Sequence, residues 1–115
     1  MTHEPLGAAG YLGEVLAELA KTIDARAGDD PSVSWTAKLL AGGPAMTAKK
    51  LGEEGVEAAL AVASQSDDEV AKEAADVIYH LLVALRSRGV ALDRVAKVLA
   101  DRQGTSGIAE KASRG

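Results

Sequence analysis

An all-α fold is predicted by three features of the sequence. Apolar residues recur at helical spacing, the segments between them carry helix caps and stops, and no stretch alternates as a strand would. The 115 residues suit one domain, 1–115, long enough for a real core and too short for a second module. Hydrophobic residues make up 47% of the chain but aromatics only 3%, with no Phe, so the core must be built from Ala, Leu, Val and Ile. Side chains this small let helices approach closely.

The first helix lies in "YLGEVLAELAKTIDARAG", residues 11–28. Leu12, Val15, Leu16, Leu19 and Ile23 share one face, and Gly28 suits a C-terminal cap. "DDP" then makes a turn. "SWTAKLLAGG", residues 34–43, reads as a short helix capped by Ser34 and stopped by Gly42 and Gly43, with Pro44 fitting the first turn of the next helix. That helix runs to about Ser64. In "SDDEV" Ser66 is followed three residues later by Glu69, a capping-box signature, and the helix it opens continues to Arg88 with Gly89 just beyond. "LDRVAKVLADR" forms the last helix. The tail, 103–115, is rich in Gly and Ser with no periodic face, and reads as flexible or as closing over a substrate.

Composition removes several functions. With 13 Lys and Arg against 17 Asp and Glu the net charge is -4, and no basic stripe with interleaved aromatics appears, which argues against nucleic-acid binding. The absence of Cys excludes a disulfide scaffold, a thiolate zinc site and a cysteine nucleophile together. The N-terminus lacks the pattern of a signal peptide, and no apolar stretch approaches the ~20 residues that span a bilayer. A soluble, cytoplasmic protein with no membrane partner is expected.

What remains is an acidic constellation. "KLGEEGVE", residues 50–57, sets Glu53, Glu54 and Glu57 on one helical face, Glu53 and Glu57 about 40° apart and Glu54 and Glu57 about 60° apart. "EAAD", residues 73–76, adds Glu73 and Asp76 three apart on the next helix. The short link "QSDD" favours an antiparallel hairpin that brings both acidic turns to a similar level. Any one exposed Glu is ordinary on a helix. The cluster is not, because Glu53 and Glu57 are like charges at i and i+4, and Lys49 and Lys50 precede them in the less favourable order for pairing. Asp76 stands at the margin of the apolar run "AADVIYHLLVAL", where a desolvated carboxylate needs a partner. A hard divalent cation, Mg²⁺ or Mn²⁺, suits an all-oxygen set of this kind.

"EEGVE" and "EAAD" match the E-E-x-x-E and E-x-x-D pattern of the MazG-like all-α nucleotide pyrophosphohydrolases. With "SWTAKLL" at 34–40, "KKLGEEGVE" at 49–57, "EAADVIYHLLV" at 73–83 and the ending "SGIAEKASR", the chain from about Tyr11 onward resembles the phosphoribosyl-ATP pyrophosphatase family of histidine biosynthesis. Trp35 stands where that family commonly shows Tyr, and Gly55 interrupts the acidic helix; neither departure touches the acids. The resemblance implies Mg²⁺-dependent hydrolysis of the α–β bond of phosphoribosyl-ATP to phosphoribosyl-AMP and pyrophosphate. It makes Glu54, Glu57, Glu73 and Asp76 the metal ligands, with Glu53 either binding metal or orienting the attacking water and Glu54 the other candidate for that second role. It places Ser34 and Thr36 near the substrate, Ser34 serving equally well as a plain helix cap. Lys38, Lys49 and Lys50, and Lys111 and Arg114 in the tail, become phosphate contacts. His80, one turn after Asp76, is either its hydrogen-bond partner or a satisfied boundary histidine.

Two competing functions remain at this stage. One is a house-cleaning nucleoside triphosphate pyrophosphohydrolase with the same metal chemistry; the other is a non-catalytic helical module with an acidic binding face. A homodimer is expected on either enzymatic reading. Val70, Val77, Leu81 and Ala84 face one way along the helix after Ser66, and Ile78, Leu82 and Leu85 widen the stripe beyond what one antiparallel neighbour covers. Two such hairpins about a twofold axis would complete a four-helix bundle.

Overall fold

Local chemistry marks the starts of the helices at Trp35 and Asp67 and the break before the one at Gly43 in the computed structural model, which describes residues 6–7 and 10–104. Among these the elements are α1 (Gly10–Arg26), α2 (Trp35–Ala41), α3 (Gly43–Ser64), α4 (Asp67–Ser87) and α5 (Leu92–Asp101), with no strand. The all-α expectation holds, and the helix bounds fall within about two residues of those read from caps and stops. The tail from 105 onward lies outside the described residues.

Ser34 caps α2 from an extended backbone, its Oγ accepting from the Ala37 N–H at 3.1 Å. Ser66 does the same for α4, accepting from the Glu69 N–H at 3.3 Å, and Asp67, Asp68 and Glu69 place negative charge at the positive end of that helix. Between α2 and α3 there is no loop. Gly42 ends one helix and opens the other, and a Cβ there would lie 2.5 Å from the Cβ of Met46. Gly43 has φ +72°, a left-handed conformation that costs an ordinary side chain, and with it α3 begins one residue earlier than Pro44 suggests.

The most extensive packing is the antiparallel pair of α3 and α4, with α2 lying against both and α1 against α4 and α2. Ile23, Leu39, Leu82 and Val83 form the buried centre, and Leu16, Leu19, Leu40, Met46 and Ile78 pack around it. Ala61 is wholly buried on α3 between the acidic turn and the link to α4, a methyl group where a larger side chain would force the helices apart. At the far end of the hairpin, buried Thr47 bonds Ser87 Oγ at 2.9 Å, and Ser87 in turn donates to the Ala84 carbonyl at 2.7 Å.

Apolar surface is left uncovered. The run along α4 looks deeply buried in the sequence, yet in the single chain only His80, Leu82 and Val83 of that helix are buried, and Leu81 is exposed. On α5, Val98 and Leu99 are 46% and 57% exposed, and no residue of that helix is buried. Among the described residues no helix is long and apolar enough to cross a membrane.

Candidate active site

The hairpin brings the acidic turns of α3 and α4 together. One carboxylate oxygen from each of Glu54, Glu57 and Glu73 lies within 4.8 Å of the others. Glu54 and Glu73 are partly buried, and Oε2 of each is shielded from solvent without a hydrogen-bond partner. Shielded carboxylate oxygens without partners are costly in a protein that binds nothing there.

The electrostatics record that cost. Desolvation, then the charge and close approach of Glu57, push the Glu54 carboxyl above the ordinary value of 4.5; Asp76 adds to the shift and His80 opposes it. Desolvation likewise leads for Glu73, followed by the charges of Glu57, Asp76 and Glu69. Glu57 thus presses on both partners. A hard divalent cation reverses the balance, supplying the positive charge that three converging carboxylates lack, and the donor set of oxygens fits such an ion.

Asp76 lies outside that group of three and is exposed in the single chain, so the expectation that it sits at the edge of burial does not hold there. Its charge nonetheless reaches Glu54 and Glu73. His80 is buried and its Nδ1 lies 2.8 Å from the Asp76 backbone carbonyl rather than from its carboxylate. A carbonyl only accepts, so Nδ1 carries the proton, and His80 is a satisfied boundary histidine. Tyr79, part of the family-like "YHLL" run but given no role by the sequence, meets the His80 ring edge-on at 5.0 Å and holds Thr36 Oγ1 at 2.5 Å through its hydroxyl.

Glu53 stands outside the set of three, exposed, with the Lys50 ammonium 3.8 Å from its Oε2. Lys49 is exposed one position earlier. Ser34 and Thr36 are both buried with their hydroxyls engaged, Ser34 as the cap of α2 and Thr36 with Tyr79. Lys38 and Lys50 stand at either reach of the half-exposed Trp35, each ammonium 5.9 Å from its ring centroid. Lys111 and Arg114 lie outside the described residues.

Residues 16–103 match the family model described as phosphoribosyl-ATP pyrophosphohydrolase. Among curated proteins the chain is 58% identical over 103 residues to the phosphoribosyl-ATP pyrophosphatase of Caulobacter vibrioides strain NA1000, an alignment covering 90% of this chain and 95% of the relative. The protein of the same name from Cereibacter sphaeroides strain KD131 is 57% identical over 101 residues, covering 88% and 98%, and that of Ruegeria sp. strain TM1040 is 53% identical over 100, covering 87% and 95%.

Proposed function

Because the chain belongs to the phosphoribosyl-ATP pyrophosphohydrolase family, we propose that it hydrolyses phosphoribosyl-ATP to phosphoribosyl-AMP and pyrophosphate, a step of histidine biosynthesis. Water supplies a hydroxyl to one phosphorus of the α–β anhydride and a proton to the other side, and the bridging P–O bond breaks. The observation that carries the reading is the convergence of Glu54, Glu57 and Glu73 with two shielded, unpartnered oxygens among them.

Glu54, Glu57 and Glu73, with Asp76 beside them, are the residues that would hold Mg²⁺ or Mn²⁺. The ion, when bound, would supply Lewis acidity at the phosphates and a source of activated water. Glu53 takes the proton side of the reaction in this reading, its carboxylate steadied by Lys50, with Glu54 the other candidate for orienting water. Lys49, Lys50 and Lys38 bind phosphate oxygens, and Lys111 and Arg114 of the tail add positive charge over them. Ser34 and Thr36 contribute from within, fixing the backbone of the α2 segment at the edge of the site. The functional unit is a single domain acting in the cytoplasm as a homodimer, whose second copy covers the apolar faces of α4 and α5.

The test is pyrophosphate release from phosphoribosyl-ATP, beside a panel of ordinary and modified nucleoside triphosphates, with and without Mg²⁺. Preference for phosphoribosyl-ATP with strict metal dependence is expected. Equal turnover of the other triphosphates would move the assignment to a house-cleaning hydrolase, and no turnover of any would leave only an acidic interaction module.

A further inference from the structure

We infer that Trp35 is the wall on which the nucleotide's purine stacks, with Lys38 and Lys50 as the cations that receive its phosphates. The inference rests on the nucleotide-hydrolase reading above and adds a specificity residue to it. Trp35 is the one tryptophan of the chain, and 49% of it is exposed while Ser34 before it and Thr36 and Ala37 after it are buried. Ser34 before it is fixed by its bond to Ala37 N–H, and Thr36 after it by its bond to Tyr79. The ring is therefore presented outward from a backbone anchored on both sides. It borders an open groove of about 490 Å³ whose wall includes Val33, 80% exposed, and Lys38. A groove of this size, walled by an indole and Val33 and carrying one cation, Lys38, is large enough for a nucleotide-sized ligand.

The two ammoniums, both 5.9 Å from the ring centroid, stand at the outer limit of cation–π attraction, ~6 Å. Little holds them there. Among the described residues Lys38 has no carboxylate partner within salt-bridge distance, and Lys50 has Glu53 at 3.8 Å. Phosphate oxygens attract both far more strongly than an indole face, and turning toward them frees the ring for a base. Lys50, outside the groove lining, links it to the acidic helix: its ammonium is 5.9 Å from the Trp35 centroid and 3.8 Å from Glu53 Oε2, on the α3 turn that also carries Glu54 and Glu57. A nucleotide with its base on Trp35 runs its phosphates past Lys38 and Lys50 toward Glu54 and Glu57.

Because the chain has one tryptophan, its fluorescence reports this contact alone. In the full-length protein with Mg²⁺, ATP and phosphoribosyl-ATP should each shield Trp35 from acrylamide quenching, whereas inorganic tripolyphosphate, which has no base, should leave it accessible. Trp35→Leu should weaken ATP binding and raise KM for phosphoribosyl-ATP by about 5- to 150-fold, the equivalent of ~1–3 kcal/mol of lost stacking, with kcat and tripolyphosphate affinity little changed. Trp35→Tyr should recover most of the loss, since any flat ring offers a stacking face. An unchanged KM in Trp35→Leu would overturn the inference while leaving the hydrolase assignment standing. So would a ring already shielded without nucleotide, which would place it in a subunit contact. If phosphoribosyl-ATP is not hydrolysed at all, that assignment fails, and the quenching with ATP still decides the role of Trp35.

Discussion

Glu57→Gln is the perturbation that the site geometry makes most informative. Its carboxylate presses on both Glu54 and Glu73, and its oxygen belongs to the set of three within 4.8 Å. A Mg²⁺ ion binds oxygens at ~2.0–2.1 Å, so ligands on opposite sides of it stand ~4 Å apart. The observed separation therefore closes around an ion with small side-chain movements. Replacing Glu57 by its amide keeps the volume but removes one anion of three. The loss of a positioned charge at a reacting phosphate is worth about 10²- to 10³-fold in rate, and at least ~10² is expected here. Stability should move the other way, because without metal the substitution relieves repulsion on two neighbours. The assay pairs kcat for pyrophosphate release with thermal unfolding in chelator and in Mg²⁺. Wild type at a hundred times its metal Kd should gain about 2.7 kcal/mol from Mg²⁺, and the variant should lose most of that gain. Glu18→Gln, at an exposed position whose nearest cation is Lys21 at 3.5 Å, is the control and should stay within about twofold. If Glu57→Gln hydrolysed substrate like that control, the three carboxylates would not be a metal site.

Three further outcomes are expected. Folded, metal-free protein holds protons on Glu54 and Glu73 at pH values where the unfolded chain has released them, so its stability should fall as pH rises from 4.5 through the raised folded values; the stabilisation by Mg²⁺ should grow over the same window, and a Mg²⁺ effect independent of pH would contradict this. Light scattering should find a dimer, and Leu81→Asp or Val98→Asp should dissociate it with loss of activity, whereas on a functional monomer such exposed changes would cost little. Ser66→Ala should destabilise the protein by about 1 kcal/mol through the lost cap of α4, measured by urea unfolding, while leaving metal affinity per folded molecule intact.

Much of this architecture was legible in the sequence because it is locally encoded. Ser34, Ser66 and the Gly42–Gly43 pair mark helix ends by chemistry within four residues, and the i, i+3 spacing of Glu54 with Glu57 and of Glu73 with Asp76 fixes which face each pair occupies. What escaped depends on partners distant along the chain. Tyr79 meets Thr36 across 43 positions and Thr47 meets Ser87 across 40, and neither pairing leaves a periodic trace. The burial of α4 was overestimated for a related reason: an apolar face states that something covers it, without stating whether the cover is the same chain.

The Thr47–Ser87 bond has a consequence for the site it never touches. The methyl group of Ala61, wholly buried on α3, gives a neighbouring helix little to interlock with, so sliding there is opposed by little. A slip of one residue would carry the acids of α4 about 1.5 Å past those of α3, and a slip of one turn about 5.4 Å. Gln65 and Ser66 pin the pair at one end, and the bonded hydroxyls of buried Thr47 and half-buried Ser87 pin it at the other. Between those two fastenings the carboxylates of Glu54, Glu57 and Glu73 behave like marks on a vernier, aligned because the scales on either side are locked.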